Sequence, residues 1–147
     1  MARLNVVKIG DSVLREKCME VHKFNDNLHR LLDNMAETMY AEQGVGLAAP
    51  QVGIPKRVVV IDTEGELIEL VNPVIVESSG NQTGEEGCLS IPGEYEEVSR
   101  AAEVTVKGQD REGREITLTG SGMLARAIQH EIDHLDGVLF VDRVRKG

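Results

Sequence analysis

Apolar side chains recur at helical spacing in two segments of the chain. In the first, five of them fall on one face of a helix over residues 25–41: Leu28, Leu31, Leu32, Met35 and Met39. Asn25 or Asp26 precedes this face and is suited to cap it. The pattern predicts an amphipathic helix that packs its leucine- and methionine-rich face into a core.

The second apolar stripe begins after residue 121 and contains Leu124, Ala127, Ile128 and Leu135. Ser121 is a candidate N-cap, and Gly137 is a suitable stop just past the last turn. Glu131 falls near the middle of this stripe. A buried carboxylate without a partner costs several kcal/mol or takes a raised pKa. Glu131 therefore either has a strong partner or takes part in chemistry.

Two histidines lie at the edge of the same stripe, in the pattern H-E-x-x-H. Residues four apart share one face of a helix, so His130 and His134 can direct their imidazoles at one divalent metal ion. Met123 and Ala127 share this edge and are candidates for a pocket wall. The alternative is a surface helix with two solvated histidines. A zinc-like site also needs a third protein ligand.

Extended segments are predicted between and around the helices. Runs of β-branched and aliphatic residues predict strands at 57–62, 67–71 and 74–76, with Asn72-Pro73 as a break and 77–86 as an acidic loop. Two further strands, 98–110 and 115–119, form a predicted hairpin around the turn at 111–114. Residues 138–141 read as a last strand or extended segment.

A glycine-rich stretch at residues 44–53 carries no Lys-Ser/Thr pair, so it is a poor phosphate loop. Its glycines and alanines would let another backbone or a ligand approach closely, and Gln51 offers both a donor and an acceptor. The alternative is a tight turn with a polar surface residue. Cys88, between Gly87 and apolar residues, is the best available third ligand, although an inert buried thiol is the alternative.

Composition narrows the class of protein. The 147 residues, 41% of them hydrophobic, suit a single domain over residues 1–147. The net charge of −9 argues against a general DNA binder. No apolar run is long enough for a membrane span, and two cysteines are too few for a disulfide framework. We therefore expect a cytoplasmic protein, and we take a monomer as the default.

Three short stretches together closely resemble the signature motifs of the peptide deformylases. They are GVGLAAPQ at 44–51, EGCLS at 86–90 and QHEIDH at 129–134. The resemblance extends over nearly the whole chain. It implies an α+β fold in which antiparallel β-sheets pack around a central helix bearing the H-E-x-x-H motif. It also implies hydrolysis of the formyl group from N-formylmethionyl nascent polypeptides, with release of formate.

The resemblance assigns roles to individual residues. It implies that the metal ligands are Cys88, His130 and His134. It implies that Glu131 is the catalytic acid and base, and that Gln51 and the Leu89 backbone N–H bind the oxyanion. Substrate contacts would come from Val45 and the Gly46 backbone, with Met123 and Ala127 as candidate walls of an apolar methionine slot.

In the family the physiological metal is usually Fe²⁺, and Zn²⁺ is a common occupant; Ni²⁺ or Co²⁺ would also suit a thiolate beside two imidazoles. Several bacterial members carry a further C-terminal helix that contacts the ribosome. Here residues 142–147 include Arg143, Arg145 and Lys146 but no such helix, so ribosome docking in that manner is in doubt.

Two other functions remain open from the residues alone. A metalloprotease would cleave ordinary peptide bonds, but its third ligand is typically His or Glu rather than Cys. A non-catalytic metal protein would need neither Glu131 nor Gln51. Two pairings are hypotheses: Glu86 with Arg100, holding the Cys88 segment, and Asp133 as either a partner of a ligand histidine or a solvated residue.

Overall fold

The computed structural model describes residues 3–143. It contains two α-helices, α1 (Asp26–Ala41) and α2 (Gly122–Leu135). The strands are β1 (Gly46–Ala48), β2 (Val58–Ile61), β3 (Ile68–Ser79), β4 (Gln82–Cys88), β5 (Ile91–Arg100), β6 (Glu103–Gln109) and β7 (Glu115–Ser121). Short 3₁₀ helices occupy Ser12–Arg15, Ala49–Val52 and Phe140–Arg143. The predicted α+β fold with antiparallel sheets is confirmed.

A five-stranded sheet in the order β1-β2-β3-β6-β7 lies between the two helices. Successive residues of a strand face opposite sides of the sheet. Val59 and Ile61 of β2 accordingly pack with α2, whereas Val58 and Val60 pack with α1. Because both faces of β2 are covered, this strand is apolar at every position rather than alternating.

Helix α2 is central because it is covered on two sides. Its apolar side chains, among them Ile128, Ile132 and Leu135, pack against the five-stranded sheet. A separate antiparallel hairpin of β4 and β5 lies against its polar side, where Glu86 binds His130. The H-E-x-x-H motif therefore faces the interface between α2 and the β4–β5 hairpin, which we call the seam.

Both helices were predicted closely. The side chain of Asn25 accepts a hydrogen bond from the Leu28 N–H at 3.2 Å, so Asn25 is the N-cap of α1. Ser121 occupies the N-cap position of α2, although its side chain makes no capping hydrogen bond. Gly137 has a φ of 76° just past the helix, which is the left-handed conformation expected of a stop.

The predicted break at Asn72-Pro73 is wrong. Strand β3 runs through it, and the register against β6 shifts between Val71 and Val74. Asn72 takes a φ of 53°, and its side chain bonds the backbone N–H and C=O of Val21, each at 2.8 Å. A bulge with tertiary hydrogen bonds thus replaces the break.

Three other predicted boundaries are also wrong. The predicted loop at 77–86 contains the end of β3 and most of β4. The predicted strand at 98–110 is divided between β5 and β6, and the predicted extended segment at 138–141 ends in a 3₁₀ helix. The polar composition of β4 and β5 prevented their prediction from the sequence. These strands bury charged side chains and expose many of their other residues.

Among the described residues, neither helix is long and apolar enough to cross a membrane. Cys18 is buried in the core between the sheet and α2. Arg145 and Lys146, which bear on ribosome docking, lie outside the described residues.

Candidate metal centre and active-site cleft

The three predicted metal ligands converge at the seam between the hairpin and α2. Cys88 ends β4, whereas His130 and His134 lie one turn apart on α2. One ligand atom from each residue lies within 4.8 Å of the others, and Cys88 Sγ is 3.3 Å from His134 Nε2. A thiolate and two imidazoles converging in this way suit a tetrahedral divalent site with a fourth position left for a non-protein ligand.

Glu86 orients the first histidine. Its Oε1 lies 2.8 Å from His130 Nδ1. An ionised carboxylate only accepts hydrogen bonds, so His130 donates from Nδ1, and Nε2 is the ring nitrogen left to ligate a metal once it has lost its proton. Phe140 stacks on the His130 ring at a centroid distance of 6.1 Å. The imidazole is thus held in both tautomer and plane.

His134 is fully buried and has a different environment. Burial holds the pKa of His134 well below its usual value, so the ring is neutral and able to ligate. In the described part of the chain, its Nδ1 has no hydrogen-bond partner. Its Nε2 faces the Cys88 sulfur. The neutral imidazole of His134 and the Cys88 thiol that it faces are together suited to bind a metal ion.

The Glu86 carboxylate is itself held by two buried arginines. Arg100 donates from Nε to Oε2 at 2.7 Å and from Nη2 to Oε1 at 2.9 Å, and Arg126 Nη1 also bonds Oε2. Burial alone would raise the pKa of Glu86, but the hydrogen bonds from Arg100 and His130 outweigh it and lower that pKa to about 2. The hypothesised Glu86–Arg100 pair is confirmed.

Glu131 lies beside the ligands and is almost completely buried. Burial raises the pKa of Glu131 to about 7, against the lowering effect of His130. Its Oε1 has no hydrogen-bond partner among the described residues. A Cβ at Gly46 would lie 2.5 Å from Glu131 Oε2. The glycine-rich stretch was predicted to admit another backbone or a ligand, but the group that approaches Gly46 is the Glu131 side chain.

Gln51 reaches the centre from the 3₁₀ helix that follows β1. Its Oε1 accepts from the Ala48 N–H at 2.9 Å, which fixes the amide. Its Nε2 donates towards Ser90 Oγ at 3.3 Å and Cys88 Sγ at 3.4 Å. Gln51 is buried, so the alternative of a polar surface residue on a turn is wrong. An amide donor therefore stands next to a metal ligand.

A cleft of about 530 Å³ opens onto this centre. It is lined by every predicted site residue except His134: Val45, Gly46, Gln51, Cys88, Leu89, Met123, Ala127, His130 and Glu131. Val45 and Met123 are about half exposed at its mouth, whereas Ala127 is 5% exposed. Leu89, in the turn after Cys88, packs its side chain against Gly44.

Some features of the site were missed or misplaced from the sequence. Asp133 binds Arg100 Nη1 at 2.7 Å and Arg143 Nε at 2.6 Å, so it is neither a histidine partner nor merely solvated. Arg126 and Ser90 were overlooked. The available signal for Arg126 was its position four residues before His130, on the same helical face.

A cysteine, two histidines and a buried carboxylate at the base of a cleft define the site of a mononuclear metal-dependent hydrolase. Residues 3–147 match the model of the polypeptide deformylase family. The chain is 53% identical to a peptide deformylase of Pelotomaculum thermopropionicum, over 99% of this chain and 94% of that protein. It is 56% identical to that of Halothermothrix orenii, over 98% and 95% of the two chains.

Solved structures agree. That of the Thermotoga maritima peptide deformylase superposes with a TM-score of 0.98 at 41% identity, covering 99% of this chain and 100% of that one. That of the Legionella pneumophila enzyme has a TM-score of 0.95 at 48% identity, covering 98% and 87%. The chain belongs to the polypeptide deformylase family. It removes the N-formyl group from nascent peptides.

Proposed function

We propose that Glu131 acts as general base and then general acid in deformylation, with Cys88, His130 and His134 holding the metal. The observation that carries this proposal is the buried carboxylate of Glu131, whose Oε1 has no hydrogen-bond partner within residues 3–143, beside the three converging ligand side chains. A divalent ion in this donor set would acidify water and polarise the formyl carbonyl.

Glu131 is suited to move the proton. A general acid–base group works best when its pKa is near the working pH, and burial raises that of Glu131 to about 7. Glu131 would accept a proton from the attacking water and deliver it to the leaving amine nitrogen. Formate and a free N-terminal amine result. Gly46 leaves room for the carboxylate at this position.

Gln51 and the Leu89 N–H would stabilise the negative charge that develops on the formyl oxygen. The support is placement: Gln51 Nε2 lies 3.4 Å from Cys88 Sγ, and Leu89 directly follows this cysteine. The Ala48 N–H holds the Gln51 amide in advance of substrate binding. Preorganised donors of this kind each contribute about 10²–10³-fold in rate.

The methionine side chain would enter the apolar part of the cleft. Val45, Met123 and Ala127 line the cleft and carry no charge. The Gly46 backbone lies at the same wall and is free of side-chain bulk, so it would contact the substrate main chain.

We propose Fe²⁺ as the physiological ion. Thiolate and imidazole ligands suit Fe²⁺, and they also suit Zn²⁺, Ni²⁺ and Co²⁺ as substitutes. We further propose that residues 1–147 act as one catalytic domain, as a monomer in the cytoplasm, without DNA or membrane contact.

The first test is formate release from N-formyl-Met-Ala-Ser by protein loaded with Fe²⁺ or Ni²⁺ under oxygen-free conditions. We expect formate from the native chain and almost none from Glu131→Gln, which keeps the side-chain size but cannot take a proton. Glu115→Gln, on the exposed start of β7, is the matched control and should behave as native. A Glu131→Gln protein with native turnover would refute the assigned role.

An unformylated Met-Ala-Ser peptide is the second substrate. We expect no cleavage of its peptide bonds. Cleavage there, without formate release from the formylated peptide, would support a protease instead.

A further inference from the structure

We propose that Arg126 is a positioning residue for deformylation: it ties helix α2 to the β4–β5 hairpin through Glu86 and so sets the separation of the metal ligands. The inference rests on the proposed metal site at Cys88, His130 and His134. Arg126 is outside the motifs that identify the family, and it lines the active-site cleft while being only 6% exposed.

The helix geometry gives Arg126 and His130 a common target. They lie four residues apart on α2, where side chains share a face. Arg126 Nη1 bonds Glu86 Oε2, and His130 Nδ1 lies 2.8 Å from Glu86 Oε1. One carboxylate therefore bridges two successive turns of the helix that carries the metal ligands.

The same carboxylate is anchored to the hairpin. Glu86 lies on β4, and Arg100 on β5 holds both of its oxygens, at 2.7 and 2.9 Å. Each Glu86 oxygen thus accepts one hydrogen bond from the hairpin and one from α2. The hairpin supplies Cys88, and α2 supplies both histidines. The hydrogen bonds of Glu86 therefore connect the two elements that carry the metal ligands.

Arg126 also reaches the hairpin backbone. Its Nη1 lies 3.2 Å from the Val98 carbonyl oxygen and 3.5 Å from that of Gly84. A Cβ at residue 84 would lie 3.1 Å from Arg126 Nη2, so the glycine leaves space for the guanidinium. The charge-assisted bond to Glu86 and the two carbonyl contacts give Arg126 three anchor points on the hairpin, which favours a fixed seam.

The test compares Arg126→Met with Arg143→Met. Methionine keeps an unbranched chain that fills the space but cannot bond Glu86. Arg143 binds Asp133 of α2 and has no contact with Glu86, so its variant is the matched control. Three quantities are measured: the dissociation constant for Co²⁺, the visible absorption spectrum of the Co²⁺ protein, and kcat and KM separately.

We expect Arg126→Met to bind Co²⁺ about 10-fold more weakly, with a shifted spectrum and a similarly reduced kcat, but with KM nearly unchanged. Arg126→Lys keeps one charge and should recover part of the loss. Arg143→Met should resemble the native protein. If Arg126→Met does not fold, Gly84→Ala, which crowds Nη2, takes its place and should shift the same quantities in the same direction by less.

Native Co²⁺ affinity and spectrum in a folded Arg126→Met, or in Gly84→Ala as its substitute, would overturn the proposal. A rise in KM alone would also overturn it, because Arg126 would then be a substrate contact. Failure of the native chain to bind Co²⁺ or release formate would refute the proposed site instead, so the two failures are distinguishable.

Discussion

The two helices lie on opposite faces of one sheet and are both amphipathic, yet they bury different chemistry. Helix α1 buries apolar side chains almost exclusively, with Leu32, Met35 and Met39 inaccessible to solvent. Helix α2 also buries apolar residues, but four further side chains on it are buried and titratable or charged: Arg126, His130, Glu131 and His134.

This difference indicates that the buried residues of α1 serve stability and that those on the polar side of α2 serve function. Burying an aliphatic side chain contributes about 1.5–3 kcal/mol. Burying a charge costs free energy unless partners offset it, as Arg100 and Arg126 do for Glu86. In the described part of the chain, Glu131 and His134 each keep one buried atom without a partner, as does Glu37 of α1, but only the two residues of α2 belong to or adjoin the Cys88, His130 and His134 cluster. Substitutions in α1 should therefore act on folding, and those on the polar side of α2 on catalysis.

The largest expected effect is loss of the metal. His134→Leu replaces an imidazole whose Nδ1 has no partner among the described residues with an apolar side chain of similar volume. We expect bound metal and formate release to fall to background, while the metal-free variant unfolds no more easily than the metal-free native protein. Metal analysis, formate assay and thermal unfolding check this. Retained metal with native turnover would contradict the ligand assignment.

On the other face of the sheet, Leu32→Ala should reduce the free energy of unfolding by about 2–5 kcal/mol, because it opens a cavity at a fully buried position. Turnover per folded molecule should not change. Urea unfolding and active-site titration measure the two quantities. Arg30→Ala, at an exposed position of the same helix, is the control and should alter neither. A large fall in kcat for Leu32→Ala, with unfolding free energy as in the native protein, would contradict this assignment of α1 to folding and α2 to catalysis.

Gly46→Ala should reduce kcat by about 10²-fold, because its Cβ would displace the Glu131 carboxylate by contact at 2.5 Å. Gly65→Ala is the control for this substitution. Gly65 has a φ of 88° and open space around it, so alanine there should cost about 1 kcal/mol of stability and no activity. Steady-state kinetics and thermal unfolding of both variants separate the effects. Equal kinetics for the two would show that Glu131 moves freely.

The last prediction concerns acid stability of the metal-free protein. The pKa of Glu86 is about 2 in the fold against an ordinary 4.5, so the folded state binds fewer protons. Its contribution is fully present above pH 4.5 and is lost as pH falls towards 2. The difference in unfolding free energy between native and Glu86→Gln should therefore shrink over that range.

Unfolding by urea at several pH values measures this difference, with Glu77→Gln, an exposed carboxylate of β3, as control. A difference that stays constant from pH 6 to pH 3 would exclude the assigned lowering of the Glu86 pKa.

Local patterns were sufficient for part of the structure. The helical periodicity of 25–41 and of the H-E-x-x-H segment predicted α1 and α2, and the turn at 111–114 predicted the β6–β7 hairpin. These succeed because spacing along one element decides which side chains share a face. Helical spacing indicated His130, His134 and Glu131, Cys88 was the best available third ligand, and the motif resemblance assigned their roles. The structure brings the three ligands together.

Long-range contacts decided the rest. Asn72 continues a strand because its side chain accepts a hydrogen bond from the N–H of Val21 and donates one to the C=O of Val21, a residue far away in sequence. Residues 82–86 belong to a strand although they read as part of an acidic loop, because Glu86 points inward to charges on β5 and α2. Sequence spacing determines which side chains one helix or strand presents. Only tertiary structure decides which distant charge offsets a buried one, since that partner carries no local signal.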